Sequence, residues 1–565
     1  MTSMPWAAKS IDGPNRKRSV SSSWLALTVL VLSLIFGANT ASGLQTTSAD
    51  VVVYGGTSAG VVAAVQCARM GKTVVLVEPG KHLGGLTSGA LGATDIGNKA
   101  AIGGLSREYY RMVKQHYMQE PAWVFEVADK FARGDLNSAS DAMWVFEPHV
   151  AEAIMDRWVE HESIAVVRQT RLNRTDGVRK TGTVIQSIES DDGRVFAAKQ
   201  FIDATYEGDL MASAGVSFTI GREANSVHRE TLNGVQTARA IHHQLQPGLD
   251  PFRIPGDPAS GLLPDINAQP PATDGSGDRL VQTYNIRICA TNEPKNRVAF
   301  EKPDGYDPIH YELLLRNFEA GEKRAPWNPL MMPNLKTDAN NNFGVSTDFI
   351  GHSHQWAEAD YATRDRIYQE HLDWTRGLMW TLANNERVPE QLRQEFSRWG
   401  TCRDEFMDNG GWSHQLYVRE ARRMVSDYVM TQSNCQGKTV AEHPVGLAAY
   451  TMDSHNVQRY VDANGHVRNE GDVQVGGFPP YPIAWESILP RRTECTNLTV
   501  PVSLSASHIA YGSIRMEPVF MVLAQSAATA ACIAIDENVT LHDLDYSKLK
   551  SHLDRDKQVL EWNRK

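Results

Sequence analysis

The sequence predicts a three-layer α/β fold with a large α+β segment inserted into it. Two observations carry this prediction. Residues 50–78 read as strand, glycine-rich turn, helix and second strand, the order of a unit whose helix crosses between two parallel strands. Residues 216–474 are rich in Pro, Asn and Trp and carry long loops, whereas strand and helix patterns return after Tyr481.

The first unit has every part of a Rossmann-like dinucleotide site. Val51–Val53 is a short β-branched strand, 61–70 has helical spacing, and 73–77 is a second strand that ends at Glu78. In such a unit the glycines let the backbone approach a pyrophosphate, and the helix N-terminus supplies amide donors. An acid about twenty residues later accepts from a ribose hydroxyl. Glu78 lies 78 − 55 = 23 positions after Gly55.

The turn departs from the common pattern at one position. Aligning G-x-G-x-x-G on Gly55 and Gly60 places Thr57 where the middle glycine should be. Its side chain must point away from the phosphates or use its hydroxyl on them. A tight turn in an ordinary α/β protein is the alternative, but the coincidence of strand, turn, helix, strand and acid favours a dinucleotide site.

A glycine-rich run follows Glu78 and suits wrapping around an extended cofactor. Six motifs carry a more specific resemblance: GGTSAG, VEPGKHLGGLTSG, AIGGLSREYY, FIDATYEGDLMASAG, LYVREARRM and SASHIAYGSIRMEPVFMVLAQSAATAA. Together they resemble the FAD-dependent oxidoreductase family of secreted bacterial proteins often labelled xanthan-lyase-related. A more distant similarity is to heterodisulfide reductase A-type flavoproteins. The resemblance covers nearly the whole chain after residue 43.

The resemblance implies FAD as the cofactor. With the turn motif, it assigns the cofactor contacts to two groups of residues, one early in the chain and one late. They are Gly55, Gly56, Thr57, Ala59, Gly60, Glu78, Gly84, Gly85, Ala204, Thr205, Arg515 and Met516.

Composition and charge exclude other classes. The 565 residues have ordinary globular composition, with 42% hydrophobic and 22% charged residues. A formal net charge of −10 gives no general basic field, so nucleic-acid binding is disfavoured.

The N-terminus has the three regions of a secretory signal. Basic residues 16–18 precede an apolar run at 24–38 and the small residues 41–43. We expect a signal peptide over residues 1–43 and export to the periplasm or the extracellular space. An uncleaved membrane anchor is the alternative, but the 38 − 24 + 1 = 15 apolar residues fall short of the roughly 20 that span a bilayer.

Six cysteines are scattered along the chain with no C-x-x-C pair. Iron–sulfur clusters need grouped thiolates, so the sequence does not support one in this chain. Cys67 and Cys532 lie in apolar helical patterns and are expected to be buried. A disulfide among the other four stays open.

The predicted layout has three parts after the signal. The FAD-binding domain takes residues 49–215 and 475–545, the inserted substrate domain takes 216–474, and 546–565 form a C-terminal tail. Within these parts we expect helices over 98–160, a hairpin over 183–202 and one long helical stretch over 357–397. A strand at 497–502 and a helix at 518–535 complete the fold.

The predicted catalytic residues precede that last helix. His508 lies in a loop expected to cross the flavin face and is the candidate proton acceptor, because imidazole titrates near working pH. A plain cofactor or loop contact is the alternative. Tyr511 is a candidate to orient substrate. Arg515 is expected to place positive charge at the flavin edge, or else to pair with Glu517 or another acid.

Three polar groups stand out in the insert. Residues 416–424 read as a helix on which Arg419 shares a face with Arg422 or Arg423, either to clamp an anionic or hydroxyl-rich substrate or to form ion pairs. Asp453 and His455 would point to one side of a strand. The third group is Gln282, Tyr284 and Arg287. Asp453 and His455 are two potential metal ligands without a third, so the sequence predicts no metal site.

These observations predict an exported FAD-dependent oxidoreductase. We expect it to oxidise a small organic or carbohydrate-like substrate by hydride transfer to flavin N5, with the electron acceptor left open. One alternative is a carbohydrate-active lyase or binding protein without redox chemistry. The other is an electron-transfer flavoprotein of the heterodisulfide-reductase type.

Overall fold

The computed structural model describes residues 46–131 and 140–562; the predicted signal peptide lies outside them. The strands are β1 Thr46–Tyr54, β2 Val74–Val77, β3 Ala165–Val167, β4 Val178–Thr181, β5 Val184–Glu189, β6 Val195–Asp203, β7 Phe218–Thr219, β8 Ile288–Thr291, β9 Arg297–Ala299, β10 Trp327–Met332, β11 Lys336–Asn341, β12 Gly400–Cys402, β13 Arg423–Met424, β14 Pro444–Ala448, β15 Met452–Ser454, β16 Gln458–Val461, β17 Val467–Glu470, β18 Val473–Val475, β19 Tyr481–Ala484 and β20 Leu498–Thr499.

The helices of the described residues follow the same chain order. They are α1 Ser58–Arg69, α2 Gly104–Tyr117, α3 Pro148–His161, α4 Asp209–Ser213, α5 Asn225–His228, α6 Glu312–Glu319, α7 Tyr361–Asn384, α8 Glu390–Phe396, α9 Gln432–Cys435, α10 His508–Ile514, α11 Glu517–Glu537 and α12 Tyr546–Arg555.

The first sheet has the strand order β3-β2-β1-β6-β5-β4, with β20 also beside β6. Strands β3, β2, β1, β6 and β20 run parallel, and the β4–β5 hairpin pairs antiparallel at the edge. Strand β6 is long enough to pair with β5 near its start and with β20 near its end. This mixed sheet confirms the Rossmann-like α/β fold, and the hairpin predicted over 183–202 is the antiparallel pair β5–β6.

Alternate residues of β1 face two different cores. Val51 and Val53 pack with the side chains of α1 and α11, whereas Val52 and Tyr54 pack with Leu210 and Met211 of α4. This is the period-two pattern of a strand that is buried on both sides. The sheet is therefore the middle layer of the fold.

Helix α11 is the central core helix. It is long and apolar enough to cross a membrane by length and composition, but 94% of that stretch is buried inside the protein. Its small residues let it lie close to α1, where Gln66 donates from Nε2 to Thr529 Oγ1 at 3.0 Å. Packing against the rest of the fold therefore explains its hydrophobicity.

The insert carries its own five-stranded antiparallel sheet, ordered β10-β11-β8-β12-β9. The predicted helical stretch over 357–397 is two helices, because α7 ends at Asn384 and α8 begins only at Glu390. Pro389 lies in the break, where it lacks an N–H and restricts the residue before it. By chain contacts, Leu44–Lys565 forms one compact unit.

The cysteines of the described chain are all buried and free, including Cys67 and Cys532 as predicted. Cys289 and Cys402 lie on the neighbouring strands β8 and β12, with their Sγ atoms 3.7 Å apart. The predicted tail contains α12 and then returns to the core, where Gln558 donates from Nε2 to Val522 O at 3.1 Å.

Candidate active site

The glycine turn between β1 and α1 has no room for a side chain at Gly55 or Gly60. Gly55 has φ +99°, and a Cβ on Gly60 would lie 1.8 Å from Gly55 O. Thr57 caps α1 by accepting from Gly60 N at 3.2 Å, and its hydroxyl donates to Ala204 O at 2.8 Å. Its hydroxyl is thus used within the protein. The first N–H groups of α1 have no partner inside the helix, which makes this end suited to an anion.

A cleft of about 570 Å³ opens at this turn. Five of the predicted cofactor residues line it: Gly55, Thr57, Glu78, Gly85 and Thr205. The predicted residues Gly56, Ala59, Gly60, Gly84 and Ala204 are buried in the same turn and its neighbours, where they bring the backbone segments together.

Glu78 is fixed on the cleft wall by two backbone donors. Its carboxylate oxygens accept from Gly56 N and Gly80 N, each at 2.5 Å. Burial raises the pKa of Glu78 to about 7, although the two N–H groups oppose that rise. The carboxyl group is therefore held in place for a third hydrogen bond from a ligand.

Sequence reasoning missed Glu517 as a part of this region. Its carboxylate accepts from Ser58 Oγ at 2.6 Å, Thr87 Oγ1 at 2.7 Å and Tyr206 OH at 2.8 Å. It therefore ties the start of α11 to the start of α1. No local sequence signal marks this role, because the three donors come from three separate segments.

A family model described as FAD dependent oxidoreductase matches residues 50–553, a range that includes both α1 and α11. The chain belongs to this family. It is an FAD-dependent oxidoreductase. The glycine-lined cleft, with Gly55, Gly85 and the Glu78 carboxyl group on its wall, fits a dinucleotide cofactor such as FAD. A search of curated proteins finds no match.

Several solved structures have partial similarity to this chain. The L-amino acid deaminase from Proteus vulgaris is 16% identical, with 32% of this chain and 53% of that chain covered and a TM-score of 0.22. The L-proline dehydrogenase from P. horikoshii is 15% identical, with 32% and 59% covered and a TM-score of 0.23. This chain spans less than two thirds of either protein, so neither substrate is transferred to it.

The predicted catalytic residues lie apart from the residues that line the cleft. His508, Tyr511 and Arg515 are 2%, 2% and 6% exposed, and Met516 is buried beside them. The prediction that His508 lies in a loop is wrong: it is the first residue of α10, which is capped by Ser507. The Tyr511 ring packs near Phe520, with ring centres 6.3 Å apart.

His508 lies between an acid and a hydroxyl. Its Nδ1 is 2.6 Å from Glu420 Oε2, and its Nε2 is 3.0 Å from Ser454 Oγ. Burial opposes ionisation of Glu420, but His508 and Arg423 outweigh it and lower the pKa of Glu420. An ionised Glu420 accepts from Nδ1–H, which leaves the Nε2 lone pair facing Ser454 in the neutral ring.

Arg515 does not pair with Glu517. Its Nη2 lies 3.3 Å from Asp453 Oδ2, and its Nη1 lies 3.4 Å from Tyr417 OH. The ion-pair alternative is thus present in the structure, with Asp453 as the partner.

Arg515 is one member of a closed circuit of contacts that we call the charged ring. His455 Nε2 lies 3.4 Å from Asp453 Oδ2, and His455 Nδ1 lies 3.0 Å from Asp348 Oδ2. Asp348 Oδ1 is 3.0 Å from Arg419 Nη2. The Arg419 guanidinium carbon lies 4.7 Å from the Tyr417 ring centre. The charged ring consists of Arg515, Asp453, His455, Asp348, Arg419 and Tyr417.

Gln282 joins the charged ring to the His508 pair. Its Oε1 accepts from His455 N at 3.1 Å, and its Nε2 donates to Glu420 Oε2 at 2.7 Å. The hydroxyl of Tyr284 donates to the Glu420 carbonyl. The third residue of that predicted group, Arg287, is 5.4 Å from the Tyr417 ring centre and pairs with Asp338. The three insert groups therefore meet in one place.

The predicted helix over 416–424 is absent: this stretch is irregular and ends in β13. Its backbone bonds to other segments instead, as Tyr417 N does to Asn285 O at 2.9 Å and Met424 N to Ser503 O at 2.9 Å. Arg419 and Arg422 consequently go to different partners, since Arg422 Nη1 binds Asp209 at 2.9 Å. Long-range pairing overrode the helical pattern here.

Potential metal ligands also meet away from the charged ring. Ligand atoms of Glu147, His149 and Glu405 lie within 4.8 Å of one another. Lys336 Nζ contacts both acids, at 2.8 Å from Glu147 and 2.6 Å from Glu405. Because this ammonium group already pairs with both carboxylates, the cluster reads as a buried ion-pair network.

Proposed function

We propose that this enzyme is exported and oxidises a small organic or carbohydrate-like substrate by hydride transfer to flavin N5. The observation that carries the chemical part is the placement of His508 between Glu420 and Ser454, at the start of the segment that leads into α11. The export part rests on the signal pattern of residues 1–43.

The glycine-lined cleft takes the cofactor. The N-terminus of α1 binds the pyrophosphate, and Glu78 accepts a hydrogen bond from the adenosine ribose. Arg364, which also lines the cleft, adds positive charge beside its partner Asp209. Met516 and Arg515, at the start of α11, would hold the flavin end of the cofactor. Bound FAD would supply a two-electron acceptor, to be reoxidised by oxygen or another acceptor.

The protein's own contribution is to remove a proton. When a C–H bond of the substrate gives up its hydride, a neighbouring O–H or N–H must lose a proton to form the C=O or C=N product. His508 Nε2 accepts that proton, directly or through the Ser454 hydroxyl. Glu420 stabilises the imidazolium from the other side, and Tyr511 orients the substrate.

Anaerobic stopped-flow reduction of the bound flavin tests this role. His508→Ala should keep the flavin spectrum, because the proposed anchors of FAD lie elsewhere, and should slow reduction by about 10²–10⁴-fold. His371→Ala is a matched control, because His371 is also buried but bonds Ile367 O at 2.8 Å. Reduction of the His508→Ala protein at the wild-type rate would make His508 a structural residue.

The lyase alternative makes a different prediction. A lyase needs no redox cofactor, so its turnover would persist in protein stripped of FAD. Loss of turnover on removing FAD, and its return when FAD is added back, supports the oxidoreductase.

Detection of the chain with residues 1–43 intact inside the cell would contradict export.

A further inference from the structure

The charged ring and the neighbouring Arg287 hold more hydrogen-bond donors than the described protein atoms satisfy. Arg419 Nε, Arg515 Nε and Arg287 Nη1 are buried nitrogens without a hydrogen-bond partner among the described residues. The three side chains are 0%, 2% and 1% exposed. A guanidinium group has only donors, and leaving a buried charged donor unpaired is costly.

The three arginines share one neighbour. The guanidinium carbons of Arg287 and Arg419 lie 5.4 and 4.7 Å from the Tyr417 ring centre, and Arg515 Nη1 lies 3.4 Å from the Tyr417 hydroxyl. The unpaired donors thus belong to side chains gathered around one aromatic ring.

His455 adds positive charge at the same place. Each of its ring nitrogens faces a carboxylate, Nδ1 toward Asp348 at 3.0 Å and Nε2 toward Asp453 at 3.4 Å. Burial and Arg419 oppose protonation of this ring, but Asp453 and Asp348 outweigh them and raise the pKa of His455, which favours the imidazolium form. The cationic groups are therefore Arg287, Arg419, Arg515 and His455, against the paired acids Asp338, Asp348 and Asp453. Asp95 also lies close enough to interact with Arg287 and Arg515, and burial raises its pKa.

We propose that the charged ring binds a carboxylate group of the substrate, so that the enzyme acts on small organic acids or acidic sugars. This inference rests on the proposed oxidoreductase function and narrows its substrate class. A carboxylate has two acceptor oxygens, which can accept from the unpaired nitrogens of two of these arginines. Gln282 then sets the distance from the bound acid to His508, because it contacts both His455 and Glu420.

A second cleft has a wall residue, His243, that lies next to His455 of the charged ring. It has a volume of about 430 Å³ and is lined by residues 241–246 with Arg324, Asn342, Phe343 and Gln474. The His243 ring on its wall is nearly parallel to His455, at 8° and 6.5 Å between ring centres. Burial lowers the pKa of His243 to about 4, so this ring is neutral at working pH and adds no charge that would hold an acid at the mouth.

Calorimetric titration of the FAD-loaded enzyme tests the proposal with matched pairs of ligands. The pairs are lactate with lactamide and glucuronate with glucose. We expect at least one acid to bind tenfold or more tightly than its neutral partner, as one charge-assisted hydrogen bond supplies on its own. Equal binding within both pairs, or binding of neither acid, would overturn the proposal.

Two variants place the site. Arg419→Lys keeps the charge opposite Asp348 but loses Nε, and should weaken binding of the acid about 10–100-fold. Arg366→Lys is the control, because Arg366 is exposed on α7 and pairs with Glu370. If Arg419→Lys does not fold, Arg515→Lys gives the same test. Unchanged acid affinity in a folded variant would overturn the site. If the proposed function itself were wrong, the result would be different: substrate would reduce the bound flavin of the His508→Ala protein at the wild-type rate.

Discussion

The glycine-lined cleft and the charged ring are built in opposite ways. The part of the cleft that the sequence predicted is a backbone turn, and its predicted lining residues lie within 55–85, with one return at Thr205. The charged ring is made of side chains from 348, 417–419, 453–455 and 515. A site made from backbone depends on tight turns and spacing that a short sequence encodes, whereas a site made from side chains depends on long-range packing.

The largest effect that separates the two regions is expected at Gly60. A Cβ there would meet Gly55 O at 1.8 Å, and a backbone atom cannot move aside as a flexible side chain can. Gly60→Val should yield protein that lacks FAD or is insoluble. Flavin absorbance per mole of protein measures this.

Gly305→Val is the control for Gly60, because a Cβ at Gly305 meets open space. Full FAD occupancy in Gly60→Val would show that the backbone of the turn is not the cofactor cradle.

The same contrast explains what the sequence could predict. The strand, turn, helix and acid of residues 50–78 are adjacent in the chain, and each is recognisable from its neighbours. Residues 416–424 carry a helical pattern, but their N–H groups bond Asn285 O and Ser503 O, which no local pattern reveals. The residues Arg419, Asp453, His455 and Gln282 could be singled out as polar groups. The sequence does not reveal that three of them, Arg419, Asp453 and His455, form one ring of contacts with Arg515.

Glu420 illustrates the same limit. No local pattern marks Glu420 as a partner of His508, yet its Oε2 lies 2.6 Å from His508 Nδ1 and 2.7 Å from Gln282 Nε2. Two partners from distant parts of the chain fix its orientation. Its role as a positioning residue became visible only when those segments were packed together.

Glu420→Gln is expected to have the next largest effect. The neutral amide keeps the shape but no longer stabilises the imidazolium, so flavin reduction should slow by about 10²-fold, within the usual range for general-base catalysis. The concentration of substrate that gives half the maximal reduction rate should stay unchanged. Stopped-flow reduction over a range of substrate concentrations separates the two quantities. A change confined to that concentration would mean that Glu420 binds substrate rather than positioning His508.

A change at Thr57 is expected to have a smaller effect, which is on the free energy of unfolding. Thr57→Val removes the hydroxyl that donates to Ala204 O and caps Gly60 N, at a cost of about 1–2 kcal/mol in the free energy of unfolding. Thr57→Ser keeps the hydroxyl and should behave like the wild type. Thermal unfolding measures the difference. Loss of FAD affinity in Thr57→Val without loss of stability would instead place the hydroxyl on the phosphates.

The central claim is that the glycine-lined cleft holds the cofactor, whereas His508, which Gln282 joins to the charged ring, removes the proton. A double-mutant cycle of Glu78→Ala and His508→Ala tests this claim most directly. At a pH well above 7, where the Glu78 carboxyl group is ionised, Glu78→Ala should cost roughly 1.5–3 kcal/mol of FAD affinity, the worth of a charge-assisted hydrogen bond, in both the wild-type and His508→Ala backgrounds. His508→Ala should slow reduction of the bound flavin equally in both Glu78 backgrounds. We predict that the two effects are additive within about 0.5 kcal/mol, as for distant independent sites. A larger coupling energy, or a loss of FAD affinity caused by His508→Ala alone, would contradict the separation.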